Sequence, residues 1–150
     1  MSEITFQKAT INDVDTFIEI EKTSVGLKMY SSMTDPEEAK EEIENNEVYF
    51  IKKDGQNVGS TEYQIKGPDE AYLGGLIIKP EYRGQGIARK AIEFRLEKLE
   101  GTKRLWLVTH PHNSKMVRMY LSYGFIIEAW KDNYFGDGEP RLVLSKEKQL

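Results

Sequence analysis

The sequence predicts an α/β fold: a mixed α+β sheet, mostly antiparallel in its centre, with helices on both faces. Three observations predict it. Strand-like alternation and helix-like stripes succeed one another along all 150 residues. Asp54-Gly55 joins two strand-like runs as a hairpin, and a third run follows after Gly67-Pro68-Asp69. An apolar run ending at Ile78 meets Pro80, then an Arg- and Gly-bearing turn, then a helix.

The elements follow in order. Ile4 to Ala9 alternates as a strand. Thr10 with Asp13 resembles a capping box, and Ile11, Val14, Phe17 and Ile18 form the stripe behind it. Gly26 ends that region. Asp35-Pro36 opens a second helix, with proline in the first turn, where a missing N–H costs nothing. Its charge and its single apolar pair, Ala39 and Ile43, predict a surface position and a mobile flap. Val48 to Ile51, Gln56 to Ile65 and Ala71 to Ile78 read as an antiparallel meander. Ala88, Ile92, Leu96 and Leu99 stripe a helix that Gly101 ends. Arg104 to Thr109 reads as a buried strand. Asn113 is positioned to cap a helix that runs to about Tyr123 and stops at Gly124. Phe125 to Trp130 and Arg141 to Leu144 complete the order β-α-α-β-β-β-α-β-α-β-β, read as one domain over residues 1–150.

Composition excludes several chemistries. With no cysteine there is no disulfide scaffold, no thiolate nucleophile and no Cys-ligated metal. Two histidines, His110 and His112, make a His-rich zinc site a poor expectation, so no metal is expected. A net charge of −4 argues against non-specific nucleic-acid binding. No apolar run approaches a membrane span, and Met1-Ser2-Glu3-Ile4 does not start like a signal peptide, so a cytoplasmic protein is expected. Charge is unevenly spread. Residues 11–47 carry eleven acids against three lysines, whereas residues 79–118 carry ten Lys/Arg against four Glu. An anionic cofactor would suit the second segment and a cationic substrate the first, although solvated helix faces account for most such charges.

The junction from Leu73 to Arg89 contains Arg83-x-x-Gly86-x-Ala88. Downstream, Asn113 precedes Tyr120-Leu121-Ser122-Tyr123-Gly124-Phe125. The first stretch resembles the cofactor-binding signature of the GNAT acetyltransferase superfamily, Arg/Gln-x-x-Gly-x-Gly/Ala. The second is similar to that family's Asn-x-x-Ala-x-x-Leu-Tyr-x-x-x-Gly-Phe helix. Asn113, Tyr120, Gly124 and Phe125 match it, with Met116 in place of alanine and Met119 in place of leucine. The element order is also that of the GNAT fold, so the resemblance spans essentially the whole chain. It implies an acetyl-CoA-dependent N-acetyltransferase that moves an acetyl group directly to a primary amine.

The resemblance also implies site roles. Backbone N–H groups of about Gly84, Gln85, Gly86, Ile87, Ala88 and Arg89 would hold the pyrophosphate, because the first amides of a helix lack partners within it. Arg83 or Arg89 would add charge, or lie solvated at the surface. The strand before the turn splays from its neighbour in this family, so Leu76, Ile77 and Ile78 would pair with the pantetheine arm as an added strand does. The Leu76 amide would stabilise the oxyanion. Tyr120 matches the position of the family's general acid, and a tyrosine hydroxyl is protonated at neutral pH; the other reading is a core tyrosine with a satisfied hydroxyl. Asn113 is expected to cap its helix and to contact cofactor or water; Tyr123 is read as packing.

The proton acceptor stays open among Glu62, Glu70, His110 and a water chain. Acceptor contacts are expected from Met29, Tyr30, Tyr134 and Phe135. The loop from Asp132 to Gly138 resembles that of protein and peptide amine acetyltransferases, which favours an α-amine or lysine acceptor. Two alternatives are a transferase of a longer acyl group and a non-catalytic acyl-CoA-binding module. Homodimers are frequent in the family, so a homodimer is expected.

Overall fold

The computed structural model describes residues 2–27, 29, 30 and 32–148. Strands β1 (Ile4–Lys8), β2 (Glu47–Lys53), β3 (Gln56–Gly67), β4 (Glu70–Ile78), β5 (Arg104–Thr109), β6 (Ile126–Lys131) and β7 (Arg141–Glu147) form one sheet. Helices α1 (Val14–Glu21), α2 (Pro36–Asn45), α3 (Ile87–Lys98) and α4 (Ser114–Ser122) cover it. The strand order is β1-β2-β3-β4-β5-β7-β6. Every neighbouring pair is antiparallel except β4 with β5, which the α3 crossover makes parallel.

Alternation along the strands sends side chains to two cores. On β2, Val48 and Phe50 pack with Phe17 and Ile20 of α1 and with Ala39 and Ile43 of α2. On the other face, Leu73, Leu105 and Leu107 pack with Ile92 of α3 and Met119 and Tyr120 of α4. Burying each large aliphatic side chain contributes roughly 1.5–3 kcal/mol. Ile51 of β2, one residue on from Phe50, joins Ile87 and Ala91 of α3.

The start of the first helical segment follows its sequence signal: the Thr10 backbone N–H donates to Asp13 Oδ2 at 2.8 Å. Asp35 caps α2, accepting from the Glu38 N–H at 3.0 Å, with Pro36 in the first turn. Helix α2 lies on the surface as expected, with Ala39 and Ile43 as its buried pair. Ala39 and Ile43 are buried against α1 and β2, and the acidic residue between them in sequence, Glu42, faces a cavity rather than solvent alone. The stripe expected on α3 packs into the core: Ile92 and Leu99 are buried, and Ala88 and Leu96 are half-buried against them. Ile87, Ala91 and Arg95 widen the buried face beyond that stripe. Phe125 belongs to the core beside Tyr120 rather than to β6.

Candidate active site

The site begins where β4 parts from β5. Their pairing runs from Glu70↔Arg104 to Leu73↔Leu107 and stops. On the other side of β4, Tyr63 of β3 faces Leu73 while Thr61 faces Leu76. Glu62 therefore stands opposite two residues, Gly74 and Gly75. An extra residue on one strand bends it and increases its twist. The bulge carries Leu76, Ile77 and Ile78 away from β5 and leaves that edge of β4 without a strand partner. Gly74 is required here by space: a Cβ at this position would lie 2.6 Å from Glu62 Oε1 and 2.7 Å from its Cγ.

Beyond Ile78 comes a 3-10 turn, Pro80–Tyr82, and then the glycine turn. Gly84 and Gly86 have φ of +76° and +80°, a left-handed backbone that glycine adopts without a Cβ penalty. Gly86 is the N-cap of α3, so the unpaired first amides of that helix open on the turn. The Arg83 Nε donates to the Ile78 carbonyl at 3.0 Å, fixing the turn to the end of β4. The Arg89 guanidinium lies 5.8 Å from the Tyr123 ring centroid. A cavity of about 400 Å³ is lined by Leu76, Ile78, Arg83, Gly84, Gly86, Ile87, Ala88, Arg89 and Asn113. Ile77 and Gln85 do not line it. Ile77 packs in the α1/α2 core, and the Gln85 side chain accepts from Lys53 Nζ at 2.6 Å. An open strand edge leading to open helix amides suits an extended chain ending in a polyphosphate.

A second cavity, about 500 Å³, lies on the other side of the bulge. Leu76, Asn113 and Met116 line both cavities, as do Met29 and Tyr30. Tyr72, Trp106, Tyr134 and Phe135 give the second cavity aromatic walls, and Glu21, Glu42 and Glu62 give it carboxyls. Phe135 is held by the Arg141 guanidinium, 5.0 Å from its ring centroid, and Arg141 is fixed by donating to Asp137 Oδ2 at 2.8 Å.

The three glutamates come from α1, α2 and β3. Burial pushes the Glu62 carboxyl well above the usual carboxylate range, and the charges of Glu42 and Glu21 add to the effect, while Arg95 opposes it. Glu42 is raised by burial as well. Burial pushes Glu21 up to about 7. Among the described residues no group of His, Asp or Glu is arranged to hold a metal ion.

Tyr120 is buried, and its ring packs edge-on to Phe125 with centroids 5.4 Å apart. Tyr120 lines the second cavity, and its hydroxyl accepts from Arg95 Nη2. Arg95 is 0% exposed. Its Nη1 donates to the carbonyls of Glu62 and Gly74, at 3.4 and 3.3 Å, so one side chain spans the bulge and reaches the tyrosine. The capping role expected of Asn113 is corrected. Its side chain makes no capping hydrogen bond, and its backbone conformation (φ −83°, ψ 60°) is not that of an ordinary N-cap. It stands instead where the two cavities meet. Tyr123 donates to Glu93 Oε2 at 3.0 Å, besides packing.

Two of the open proton-acceptor candidates are engaged elsewhere. His110 is 1% exposed; its Nδ1 accepts from the His112 N–H at 3.0 Å and its Nε2 lies 2.8 Å from Glu139 Oε1. Glu70 accepts from Trp106 Nε1 at 3.0 Å. Neither lines either of these two cavities. Sequence reasoning missed Glu21, Glu42, Tyr72, Trp106 and Arg95. Only Arg95 carried a signal, being a charge at helical spacing from Ile87 and Ala91.

A split sheet with a glycine turn at the head of the following helix defines a class of fold. The sequence matches the family model described as the acetyltransferase (GNAT) family over residues 15–125, and the chain belongs to that family. A Bacillus subtilis (strain 168) relative, provisionally assigned as a ribosomal protein bS18-alanine N-acetyltransferase, is 31% identical over 89% of each chain. The Escherichia coli (strain K12) ribosomal protein bS18-alanine N-acetyltransferase is 33% identical over 51% of this chain. That match spans about half, 54%, of the E. coli relative's length. The crystal structure of the ribosomal-protein-S18-alanine N-acetyltransferase from Escherichia coli superposes with a TM-score of 0.83 at 21% identity, covering 99% of this chain and 96% of that one.

Proposed function

We propose that this chain transfers an acetyl group from acetyl-CoA directly to a primary amine. The observation that carries this reading is the meeting of the two cavities at Leu76, where β4 has left β5. On one side lie a free strand edge, the glycine turn and basic residues suited to a pantetheine arm and pyrophosphate. On the other lie aromatic walls and carboxyls suited to a cationic amine. Family membership supports acetyl-CoA as the co-substrate.

In this reading Leu76, Ile77 and Ile78 offer backbone groups to the arm. The amides from Gly84 to Arg89, Gln85 and Ile87 included, face the phosphates, and Arg83 and Arg89 add positive charge. Asn113 stands at the junction. The Leu76 N–H stabilises the oxyanion at the thioester carbonyl. Because the Tyr120 oxygen accepts from Arg95, its own hydrogen is free to go to the departing thiolate. The relatives' names favour the α-amine of a protein N-terminus, with lysine and small amines as the other acceptors of the class. We read residues 1–150 as one such domain, cytoplasmic and homodimeric, without nucleic-acid or membrane partners. No helix among the described residues is long and apolar enough to cross a membrane.

The test is a calorimetric titration with acetyl-CoA beside ATP and NAD, followed by thiol release with an alanine-starting peptide, a lysine peptide and a diamine. Selective, saturable binding of acetyl-CoA with amine-dependent thiol release is expected. A folded protein that ignores acetyl-CoA would overturn the proposal.

A further inference from the structure

We propose that Glu62 is the catalytic group that takes the proton of the acceptor ammonium. This rests on the acetyl-transfer reading above. Three independent features of the bulge point to it.

The first is position. Glu62 is the β3 residue opposite Gly74-Gly75, one step from the Leu76 amide on the neighbouring strand. It lines the same cavity as Leu76 and Tyr120. Base, oxyanion donor and acid thus border one space. The second is that room has been left for this side chain: its Oε1 and Cγ occupy the volume that a Cβ on residue 74 would fill. The third is its hydrogen bonding. Glu62 is only 8% exposed, yet the nearby guanidinium of Arg95 is spent on two carbonyls and the Tyr120 hydroxyl rather than on the carboxylate. The carboxyl of Glu42 lines the same cavity beside it.

The charged and titratable groups around Glu62 come from every packed element. Glu21 on α1 and Glu42 on α2 repel its charge; Arg95 on α3 attracts it. Burial raises the Tyr72 hydroxyl on β4, and Tyr134 and Glu62 add to the effect. Tyr120 on α4 shares Arg95. Burial and repulsion outweigh Arg95 and raise the Glu62 carboxyl, which makes it a stronger proton acceptor than an ordinary glutamate.

The ammonium gives one proton to the Glu62 carboxylate. The freed lone pair forms the N–C bond at the thioester carbon. The C–S bond breaks, and the sulfur, leaving with its electron pair, takes the Tyr120 proton. The nitrogen's remaining surplus proton restores Tyr120 through solvent, and Glu62 returns its own to solvent. One proton is released per acetyl group transferred.

The experiment is a pH profile of kcat and kcat/KM with an alanine-starting tetrapeptide, for the wild type, Glu62→Gln and Glu42→Gln, beside acetyl-CoA titrations of each. Glu62→Gln should lose about 100-fold or more in kcat and lose the acidic limb of the profile. Its affinity for acetyl-CoA should stay within about threefold. Glu42→Gln should shift the limb to lower pH, since one repelling carboxyl is gone. A Glu62→Gln protein with the wild-type kcat and limb would overturn the proposal. So would one in which only KM rises, for Glu62 would then be a binding charge. Should Glu62→Gln not fold, an unshifted limb in Glu42→Gln would overturn it equally. A wild type that binds no acetyl-CoA would instead sink the transfer reading itself.

Discussion

Arg95 and Tyr120 meet inside the core. A guanidinium with no solvent exposure donates to a hydroxyl that borders the cavity, while its other nitrogen grips the carbonyls on both strands of the bulge. One buried cation thereby sets the shape of the backbone at the site and the direction of the hydroxyl.

Tyr120→Phe should test the acid role. It keeps the ring against Phe125 and removes only the hydroxyl. We expect kcat to fall by about 10²-fold or more while acetyl-CoA affinity is retained, measured by thiol release and titration. An unchanged rate would leave Tyr120 as a packed core residue.

Arg95→Met should be costly to stability. It strips donors from the carbonyls of Glu62 and Gly74 and removes the one attraction that opposes the raised carboxyl. Removing one partner of a buried charged arrangement costs about 3–5 kcal/mol. The Arg95 Nε has no partner, so its loss relieves a small part of that. Denaturant unfolding gives the number; a loss below about 1 kcal/mol would show that the bulge holds itself.

Gly74→Ala should injure activity more than folding. The added Cβ meets a flexible side chain, Glu62, which can swing aside. We expect a stability loss of about 1–3 kcal/mol and at least tenfold lower kcat, with acetyl-CoA binding intact. Equal kcat would mean that Glu62 has no fixed duty at the bulge.

Stability should fall as pH rises from about 4.5 to about 7. Folding raises Glu21 from 4.5 to about 7, so over that interval the folded chain binds more protons than the unfolded one. The stabilisation is complete below the unfolded value and lost as pH passes the folded one. At about 1.4 kcal/mol per unit, the loss across the whole transition is roughly 3–4 kcal/mol from this residue. Glu21→Gln should flatten the curve of unfolding free energy against pH; an equally steep curve in the variant would assign the slope elsewhere.

Much of this fold was legible because its signals are local. Asp35-Pro36, Asp54-Gly55 and the glycine turn each dictate their own few residues, and each appears where its pattern placed it. The glycine turn and the place of Tyr120 on its helix were legible from their matches to the family's two motifs. What escaped was non-local. Glu21 and Glu42 look like solvated helix charges until α1 and α2 are set against β3. Tyr72 and Trp106 look like ordinary strand residues until β4 and β5 separate beyond them. Asn113 misled because a residue type suited to capping occupied the right place, while its backbone adopted a different conformation. Local pattern says what a segment can form and not what it will face.

The short parallel contact between β4 and β5 has a consequence for how the molecule breathes. Among the described residues, four pairs, Glu70↔Arg104 to Leu73↔Leu107, stitch the first four strands to the last three through the sheet. The sheet is two half-sheets joined along one short line. Amides along that line are expected to exchange with solvent faster than those buried within either half. A ligand lying along the free edge of β4 would extend the stitching, so occupancy should be readable as slowed deuterium uptake at Leu76–Ile78 without any change of fold.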